Sequence, residues 1–137
     1  MLILVYFGSG GNAPFIVFPD ADLDKAVEGA IVCKFRASGQ TCVCANKILV
    51  HESIYDDFAQ KLAAKVDKFK LGYGMEEGVT HGPLVSKRGM DKVKEHVEKS
   101  VKAGAKVLVG GKAGDGLFFE PTVLVNVGPG AVSASVS

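Results

Sequence analysis

Two of the three cysteines stand in the segment of this sequence best suited to covalent chemistry. Cys42 and Cys44 belong to FRASGQTCVC, residues 35–44, which directly follows a predicted helix. A cysteine on such a loop of small residues is exposed and mobile, and the cations Lys34 and Arg36 favour its thiolate, the nucleophilic form. From these residues alone, a half-buried structural cysteine is the better interpretation of Cys42 until the neighbouring motifs are considered.

A glycine-rich segment near the N-terminus is the second candidate site. Residues 8–13, GSGGNA, match the G-x-G-x-x-A pattern of dinucleotide-binding turns and follow an apolar run. That fingerprint requires a helix to begin at the turn, because the pyrophosphate binds the exposed N–H groups of the helix N-terminus. Here Pro14 and a β-type run follow instead. A tight turn leading into a strand is therefore the better interpretation.

The remaining cysteine and the histidines predict no further site. Cys33 falls beside the apolar stripe of its helix and is assigned to the core. A metal site built from the three cysteines and His51 lacks any C-x-x-C spacing, so no metal is predicted. No partner is visible in the sequence for any of the three histidines, which are His51, His81 and His96.

Four apolar runs predict the strands that frame these loops. The first, residues 14–18, is continuous, which is typical of a strand buried on both faces of a sheet. The other three are residues 48–50, 106–109 and 122–125.

Three helical stripes separate the predicted strands. Asp22 and Ser53 are expected to cap the N-termini of the first two helices, the third helix is expected to start near Ser86, and Gly104 is expected to end it. Strands that alternate with helices of this length indicate an α/β fold, with a mostly parallel sheet flanked by helices. The third stripe places four residues inward, namely Met90, Val93, Val97 and Val101.

Composition bounds the class of protein. The chain has 137 residues, and 16 basic side chains nearly cancel 15 acidic ones. A net charge of +1 gives no electrostatic reason to bind nucleic acid or an acidic membrane surface. No apolar run approaches the roughly 20 residues of a membrane span, and the N-terminus lacks the positive flank of a targeting signal. An odd number of cysteines is not a secreted disulfide framework, so we expect a soluble intracellular domain.

Several motifs in one order resemble the aldehyde dehydrogenase superfamily. Family members carry Glu-Leu-Gly-Gly at the start of a strand and, further along, Phe-x-x-x-Gly-Gln-x-Cys, with the catalytic cysteine last. Residues 10–14 resemble the first motif and residues 35–42 the second. The resemblance covers residues 8 to 127, and CVCAN at 42–46 is most similar to the succinate-semialdehyde dehydrogenases. Further typical segments are residues 20–27, 82–84 and 119–122.

The resemblance implies roles for individual residues. Cys42 is the catalytic nucleophile and forms a thiohemiacetal with the aldehyde. Hydride then passes from the thiohemiacetal carbon to NAD or NADP, and water hydrolyses the thioester that remains. Arg36 binds the carboxylate of the substrate, for which a guanidinium fork is suited, although it could instead be a helix C-terminal cap. Cys44 forms a redox-switch disulfide with Cys42, unless it is a plain small apolar residue. Gly10 and Gly11 lie near the cofactor.

The sequence departs from the family pattern at the general base. Alignment on Gly10 and Gly11 puts Gly8 where the family has its catalytic glutamate, and Asp20 is the first acidic residue of the chain. Hydrolysis of the thioester should therefore be slow, since a positioned base contributes on the order of a hundredfold or more.

Length is the second departure, because family enzymes are several times longer than this chain. We expect residues 1–127 to form an incomplete aldehyde dehydrogenase catalytic domain and 128–137 to be a disordered tail, with the cofactor-binding domain absent. Residues 1–7 and 128–137 show no resemblance to the family.

The functional expectation follows from the resemblance. The chain is a piece of an NAD- or NADP-dependent dehydrogenase for succinate semialdehyde or a similar aldehyde. Alone it is inactive and does not hold the cofactor tightly. We expect a homo-oligomer, in the cytoplasm or mitochondria. The alternative is a non-catalytic module that carries a thiol or drives oligomerisation.

Overall fold

The computed structural model describes residues 13–128, and residues 2–5 by their backbone alone. Five strands and three helices make up this part of the chain. They are β1 (Leu2–Val5), β2 (Ala13–Val17), α1 (Leu23–Phe35), β3 (Ala45–Val50), α2 (Tyr55–Val66), α3 (Lys87–Lys102), β4 (Lys106–Val109) and β5 (Val123–Val125). Short 3-10 turns follow α1 and precede α2, at Arg36–Gly39 and Glu52–Ile54.

The five strands form one sheet in the order β2-β3-β1-β5-β4. β2 pairs with β3 in parallel, β1 runs antiparallel to both β3 and β5, and β4 is antiparallel to β5. The α/β class is confirmed, and β2, β3 and β5 share one direction. The pairing is nevertheless mixed rather than mostly parallel. Two strands cause this: β4 runs antiparallel to β5, and β1, which was not predicted as a strand, runs opposite to both of its neighbours, β3 and β5.

One face of the sheet packs into the main core. Val17, Ile48 and Val50 contribute from the strands, and α1, α2 and α3 add their apolar stripes. Full burial of an aliphatic or aromatic side chain contributes about 1.5–3 kcal/mol, so these contacts hold the layers together. The largest apolar side chains that are fully buried are Phe35, Phe58, Ile48, Leu62, Leu124, Val27, Val93 and Val123.

β2 is not buried on both faces, contrary to the prediction from its continuous apolar run. Phe15 and Val17 face the core, whereas Ile16 and Phe18 are 55% and 64% exposed. Leu49, the register partner of Ile16 on β3, is also exposed. Side chains alternate along a strand, and the core of the described residues covers only one side of this pair.

One of the two predicted helix caps is present, and Ser86, near which the third helix was expected to start, caps that helix. The Asp22 carboxylate accepts from the N–H of Lys25 at 3.2 Å, and the Ser86 hydroxyl accepts from the N–H of Gly89 at 3.2 Å. The prediction for Ser53 is wrong, because this residue lies inside the 3-10 turn before α2. The backbone N–H of Ser53 donates to Nδ1 of His51 at 3.3 Å.

The end of α3 differs from its predicted stripe in one position. Met90, Val93 and Val97 are buried as expected, whereas Val101 is 44% exposed. Ser100, three residues after Val97, is buried instead, so the inward face continues at a spacing of three. Gly104 follows the helix at a φ of +101°, the left-handed stop that was predicted.

Several predictions concern residues outside the described part of the chain. They are those for Gly8, Gly10, Gly11 and residues 129–137 of the expected tail.

Candidate functional site

The chain turns out of α1 in a strained conformation. Arg36 leaves the helix with φ −52° and ψ 136°, and Ala37, Ser38 and Gly39 follow with φ of 50°, 54° and 70°. Left-handed backbone is free of steric cost only for glycine. At Ala37 and Ser38 it costs of order 1–3 kcal/mol each, and such strain persists only where surrounding contacts enforce it.

Those contacts come from residues 82–85, far along the chain. The Ser38 hydroxyl donates to the carbonyl of Gly82 at 3.2 Å. The Gln40 amide donates from Nε2 to the carbonyl of Pro83 at 3.4 Å and accepts at Oε1 from the N–H of Val85 at 2.9 Å. Two side chains thus fasten the loop to this second segment.

The two loop cysteines face in different directions. Cys42 is exposed, whereas Cys44, which directly precedes β3, is 1% exposed. A turn joins them, because the Cys44 N–H donates to the Thr41 carbonyl at 3.1 Å and the Thr41 hydroxyl lies 2.7 Å from the Cys44 sulfur. The exposure predicted for Cys42 is therefore present. Cys33 is half-buried, and all three thiols are free.

Arg36 occupies the C-cap position of α1. Its side chain is exposed and makes no hydrogen bond or ion pair with any residue in the described ranges. The guanidinium group is therefore exposed at the end of α1 from which the Cys42 loop leaves.

Lys34 does not act as predicted. Its side chain is 2% exposed, and burial lowers the pKa of its amine to about 8, opposed by interaction with the thiols of Cys44 and Cys33. The amine of Lys34 therefore lies in the core, close enough to Cys44 and Cys33 for them to influence its pKa. The prediction placed it beside Cys42 because the residues are close in sequence, but the helix turns its side chain into the core.

His81 is a residue of the site that the sequence analysis missed. It is 8% exposed, and its Nε2 lies 3.1 Å from the carbonyl oxygen of Phe35, the last residue of α1. Its Nδ1 lies 2.9 Å from the Thr80 hydroxyl, and its ring stacks on Phe69 with centroids 4.3 Å apart. Burial lowers the pKa of His81, so the ring favours its neutral form. The only sequence signal was its position directly before the Gly82-Pro83 motif.

Other features of the described residues lie apart from this loop. An open groove of about 710 Å³ is lined by Leu71, Tyr73, Pro83, Leu117 and Phe118, among others, but not by Cys42 or Arg36. Within residues 13–128, no group of three or more histidine, cysteine, aspartate or glutamate side chains is arranged to hold a metal ion. None of the helices in this range is both long and apolar enough to cross a membrane.

The described residues do not provide the cradle that a dinucleotide requires. Such a cradle is a glycine-rich turn between a strand and a helix whose first N–H groups face the pyrophosphate. The side chain of Asp22 caps the N-terminus of α1, and the side chain of Ser86 caps that of α3. α2 continues directly from a 3-10 turn. None of these three starts fits the group, so the chemistry below is confined to residues of the chain itself.

Comparison with known proteins identifies the fold and the motifs. Residues 2–135 match the aldehyde dehydrogenase family. The match runs into both terminal segments, so the prediction that residues 1–7 and 128–137 show no resemblance to the family is wrong. That prediction relied on short motifs, which these segments lack.

Individual relatives are similar over most of this chain. Glutarate-semialdehyde dehydrogenase of Pseudomonas putida is 64% identical over 118 residues, which are 86% of this chain and 25% of that protein. Succinate-semialdehyde dehydrogenase [NADP(+)] 1 of Schizosaccharomyces pombe is 57% identical over 124 residues, 88% of this chain and 25% of that protein.

The structure shows the same relationship. The crystal structure of succinate-semialdehyde dehydrogenase from Burkholderia pseudomallei superimposes with a TM-score of 0.89 at 55% identity, over 92% of this chain and 27% of that one. The chain thus spans about a quarter of the length of the relatives it matches. By its motifs, its fold and these matches, the chain belongs to the aldehyde dehydrogenase family.

Proposed function

We propose that this chain carries the catalytic thiol of a dehydrogenase that oxidises succinate semialdehyde, or a similar semialdehyde, to the carboxylate. The observation that carries the proposal is the exposed Cys42 on a strained loop fastened by Ser38 and Gln40. Strain of this kind is concentrated at functional sites, where it fixes the geometry of a reacting group. The names of the relatives above support the substrate class.

The first chemical step is proposed to be addition of Cys42 to the aldehyde. The thiolate sulfur forms a bond to the carbonyl carbon, and the carbonyl π electrons move to oxygen. The backbone N–H of Cys42 donates a hydrogen bond to that oxyanion. In the whole enzyme NAD or NADP would accept the hydride, a cofactor for which the S. pombe relative is named, at a site that the described residues of this chain do not supply.

Arg36 is proposed to bind the second functional group of the substrate. A semialdehyde carries a carboxylate, and an exposed guanidinium group offers it two parallel hydrogen bonds. Arg36 stands six residues before Cys42 and has no partner in the described ranges. Its side chain can therefore turn toward a substrate held at the thiol.

Competition between substrate and an alkylating agent tests these two roles. Succinate semialdehyde is expected to slow iodoacetamide labelling of Cys42 and to leave Cys33 in the same molecules unaffected. Butanal, which lacks the carboxylate, should protect Cys42 at a concentration about tenfold higher, as expected for loss of one charge-assisted interaction. Absence of any protection would contradict the role of Cys42.

The matched variant is Arg36→Gln. It should remove the preference for succinate semialdehyde over butanal while leaving protection by butanal unchanged. A preference that survives this substitution would contradict the role of Arg36.

Cys44 is proposed to close a disulfide with Cys42 when an oxidant such as hydrogen peroxide removes two electrons and two protons from the thiols. Cys44 is buried in this structure, so its sulfur must first leave the core. We expect closure to be slower than peroxide oxidation of Cys42 itself, which mass spectrometry of the Cys42–Cys44 peptide would follow. Exclusive formation of over-oxidised Cys42, with Cys44 still reduced, would contradict the switch.

The 137 residues alone are proposed not to turn over. The proposal follows from Gly8 at the family's base position and from a length of about a quarter of the relatives. Succinate semialdehyde with NAD or NADP should yield no sustained NAD(P)H. Sustained production would contradict this. The whole enzyme is proposed to be a homo-oligomer of the cytoplasm or mitochondria.

A second candidate is a non-catalytic oligomerisation module. The observation that favours it is the exposed apolar face of Ile16, Phe18 and Leu49. Exposed apolar patches of this kind mark contact surfaces. Size-exclusion chromatography over a range of concentrations distinguishes it, since a monomer at every concentration would count against the module.

A further inference from the structure

The contact between His81 and Phe35 lies where α1 ends. The last four carbonyl groups of a helix lack partners inside the helix, and Phe35 is the final helical residue. A carbonyl oxygen only accepts, so Nε2 of His81 carries the proton and donates to it across 3.1 Å. This bond joins positions 46 residues apart in sequence. The next residue, Arg36, is the first that leaves the helix.

The imidazole ring is held in one orientation by its other neighbours. It stacks on Phe69 at 30° and meets the edge of Phe35 at 85°. The Thr80 hydroxyl, which accepts from the N–H of Lys70 at 2.9 Å, lies 2.9 Å from Nδ1 of His81. In the neutral ring Nδ1 is an acceptor, and the single proton of the Thr80 hydroxyl is shared between Nδ1 and the Lys70 carbonyl, which lies 3.3 Å from that hydroxyl. The nitrogen that carries the ring proton is therefore Nε2, which faces the carbonyl of Phe35.

The same short segment fastens both sides of the strained turn. His81 holds the carbonyl before Arg36, while its neighbour Gly82 accepts from Ser38 within the left-handed stretch. Loss of the bond at Phe35 removes one of the contacts that fix the helix end, so that part of the strain at Ala37 and Ser38 can relax. Relaxation at this point would move the loop that presents Cys42.

We propose that His81 is a positioning residue for the Cys42 loop: by donating to the carbonyl of Phe35 it fixes the end of α1 and the orientation in which the loop presents the thiol. The significance for catalysis rests on the proposed function, whereas the effect on the loop does not.

Three variants of the full chain separate hydrogen bonding from packing. His81→Phe retains an aromatic ring to stack on Phe69 and loses both hydrogen bonds. His81→Asn retains an amide near the position of Nδ1 but cannot reach Phe35. His81→Gln extends an N–H₂ group toward the position of Nε2 and loses the aromatic stack, so it serves as the rescue variant.

The first measurement is hydrogen exchange in residues 36–42, with thermal unfolding recorded in parallel. His81→Phe and His81→Asn are expected to raise exchange in this segment about tenfold, the equivalent of one buried hydrogen bond. His81→Gln should stay within about twofold of the wild type, even where its melting temperature is lower. Should the Phe variant fail to fold, the Asn variant gives the same comparison.

The second measurement is protection of Cys42 by succinate semialdehyde. The Phe and Asn variants should need about tenfold more aldehyde for half-protection, and the Gln variant should not. Unchanged exchange in the Phe and Asn variants would overturn the proposal, as would a Gln variant that exchanges as fast as they do. If the wild type shows no protection while exchange follows the expected order, the proposed function fails and the positioning role stands.

Discussion

The helix α3 and the loop that carries Cys42 are stabilised in different ways. The Ser86 side chain, directly before α3, accepts a hydrogen bond from an N–H of the first turn, and Gly104 follows the C-terminus. Between them α3 buries a regular apolar stripe. The loop adopts a conformation that its own residues disfavour, and contacts from residues 81–85 hold it there. Substitutions in α3 should therefore cost global stability without altering the thiol, whereas substitutions in the loop contacts should alter the thiol at a small cost in stability.

The largest expected effect is in the core face of α3. Met90→Ala should lower the free energy of unfolding by about 2–5 kcal/mol, because it removes a buried side chain from the main core. Urea denaturation measures the loss. Labelling of Cys42 in the folded state should keep its wild-type rate. A changed rate would show that α3 and the loop are coupled and would break the comparison.

Lys34 provides the second prediction, since it belongs to the last turn of α1 and reaches the core. Burial lowers its pKa from 10.5 to about 8, so the unfolded chain binds more protons between these values. The free energy of unfolding should therefore rise with pH between 8 and 10.5. Below pH 8 the folded chain bears the full cost of burying the charged amine, about 3 kcal/mol.

Lys34→Met should raise the free energy of unfolding at pH 7 and remove the rise between pH 8 and 10.5. Thermal unfolding at a series of pH values checks both effects. Lys65→Met, at a more exposed lysine, is the matched control, and an identical pH dependence in the two variants would contradict the assignment.

The third prediction concerns the side chain that fastens the loop. Gln40→Leu removes the bonds to Pro83 and Val85 and should cost about 1–2 kcal/mol of unfolding free energy. Hydrogen exchange in residues 36–42 should become faster by more than this loss of global stability alone would cause. Gln40→Glu keeps the acceptor for Val85 and should fall between Leu and the wild type. Equal exchange in all three chains would refute the fastening role.

The smallest expected effect is at the start of α3. Ser86→Ala should cost about 1 kcal/mol, the usual value of a helix N-cap, and Ser86→Thr should retain most of it. Neither variant should change hydrogen exchange in the Cys42 loop, although Val85 next to Ser86 contacts Gln40. Altered exchange in the loop would place the boundary between the two regions further along the chain.

The predictions from sequence succeeded where structure depends on local patterns. Helix stripes, the cap at Asp22, the start of α3 next to Ser86 and the stop at Gly104 each follow from residues a few positions apart. β1 was missed because a short apolar run gives no indication of the strands with which it pairs. The exposure of Ile16 depends on which face of the sheet is covered, and a continuous apolar run carries no information about that.

The sequence predicted the position of the reactive thiol but not the residues that hold its loop in place. The motif around Cys42 located the loop, but the bond from Gln40 to Pro83 joins residues 43 apart, and no periodicity encodes such a pair. His81 looked unpartnered for the same reason. The burial of Lys34 was missed as well, since distance along the chain does not give the direction of a side chain.

The rate of Cys42 alkylation tests the central claim most directly. The wild-type chain is treated with iodoacetamide at neutral pH, and mass spectrometry follows Cys42 and Cys33, each relative to the same cysteine in urea. Presentation by a held loop predicts that Cys42 reacts at least about tenfold faster than Cys33, with succinate semialdehyde slowing only Cys42. Labelling of Cys42 no faster than that of Cys33, unaffected by the aldehyde, would contradict the account.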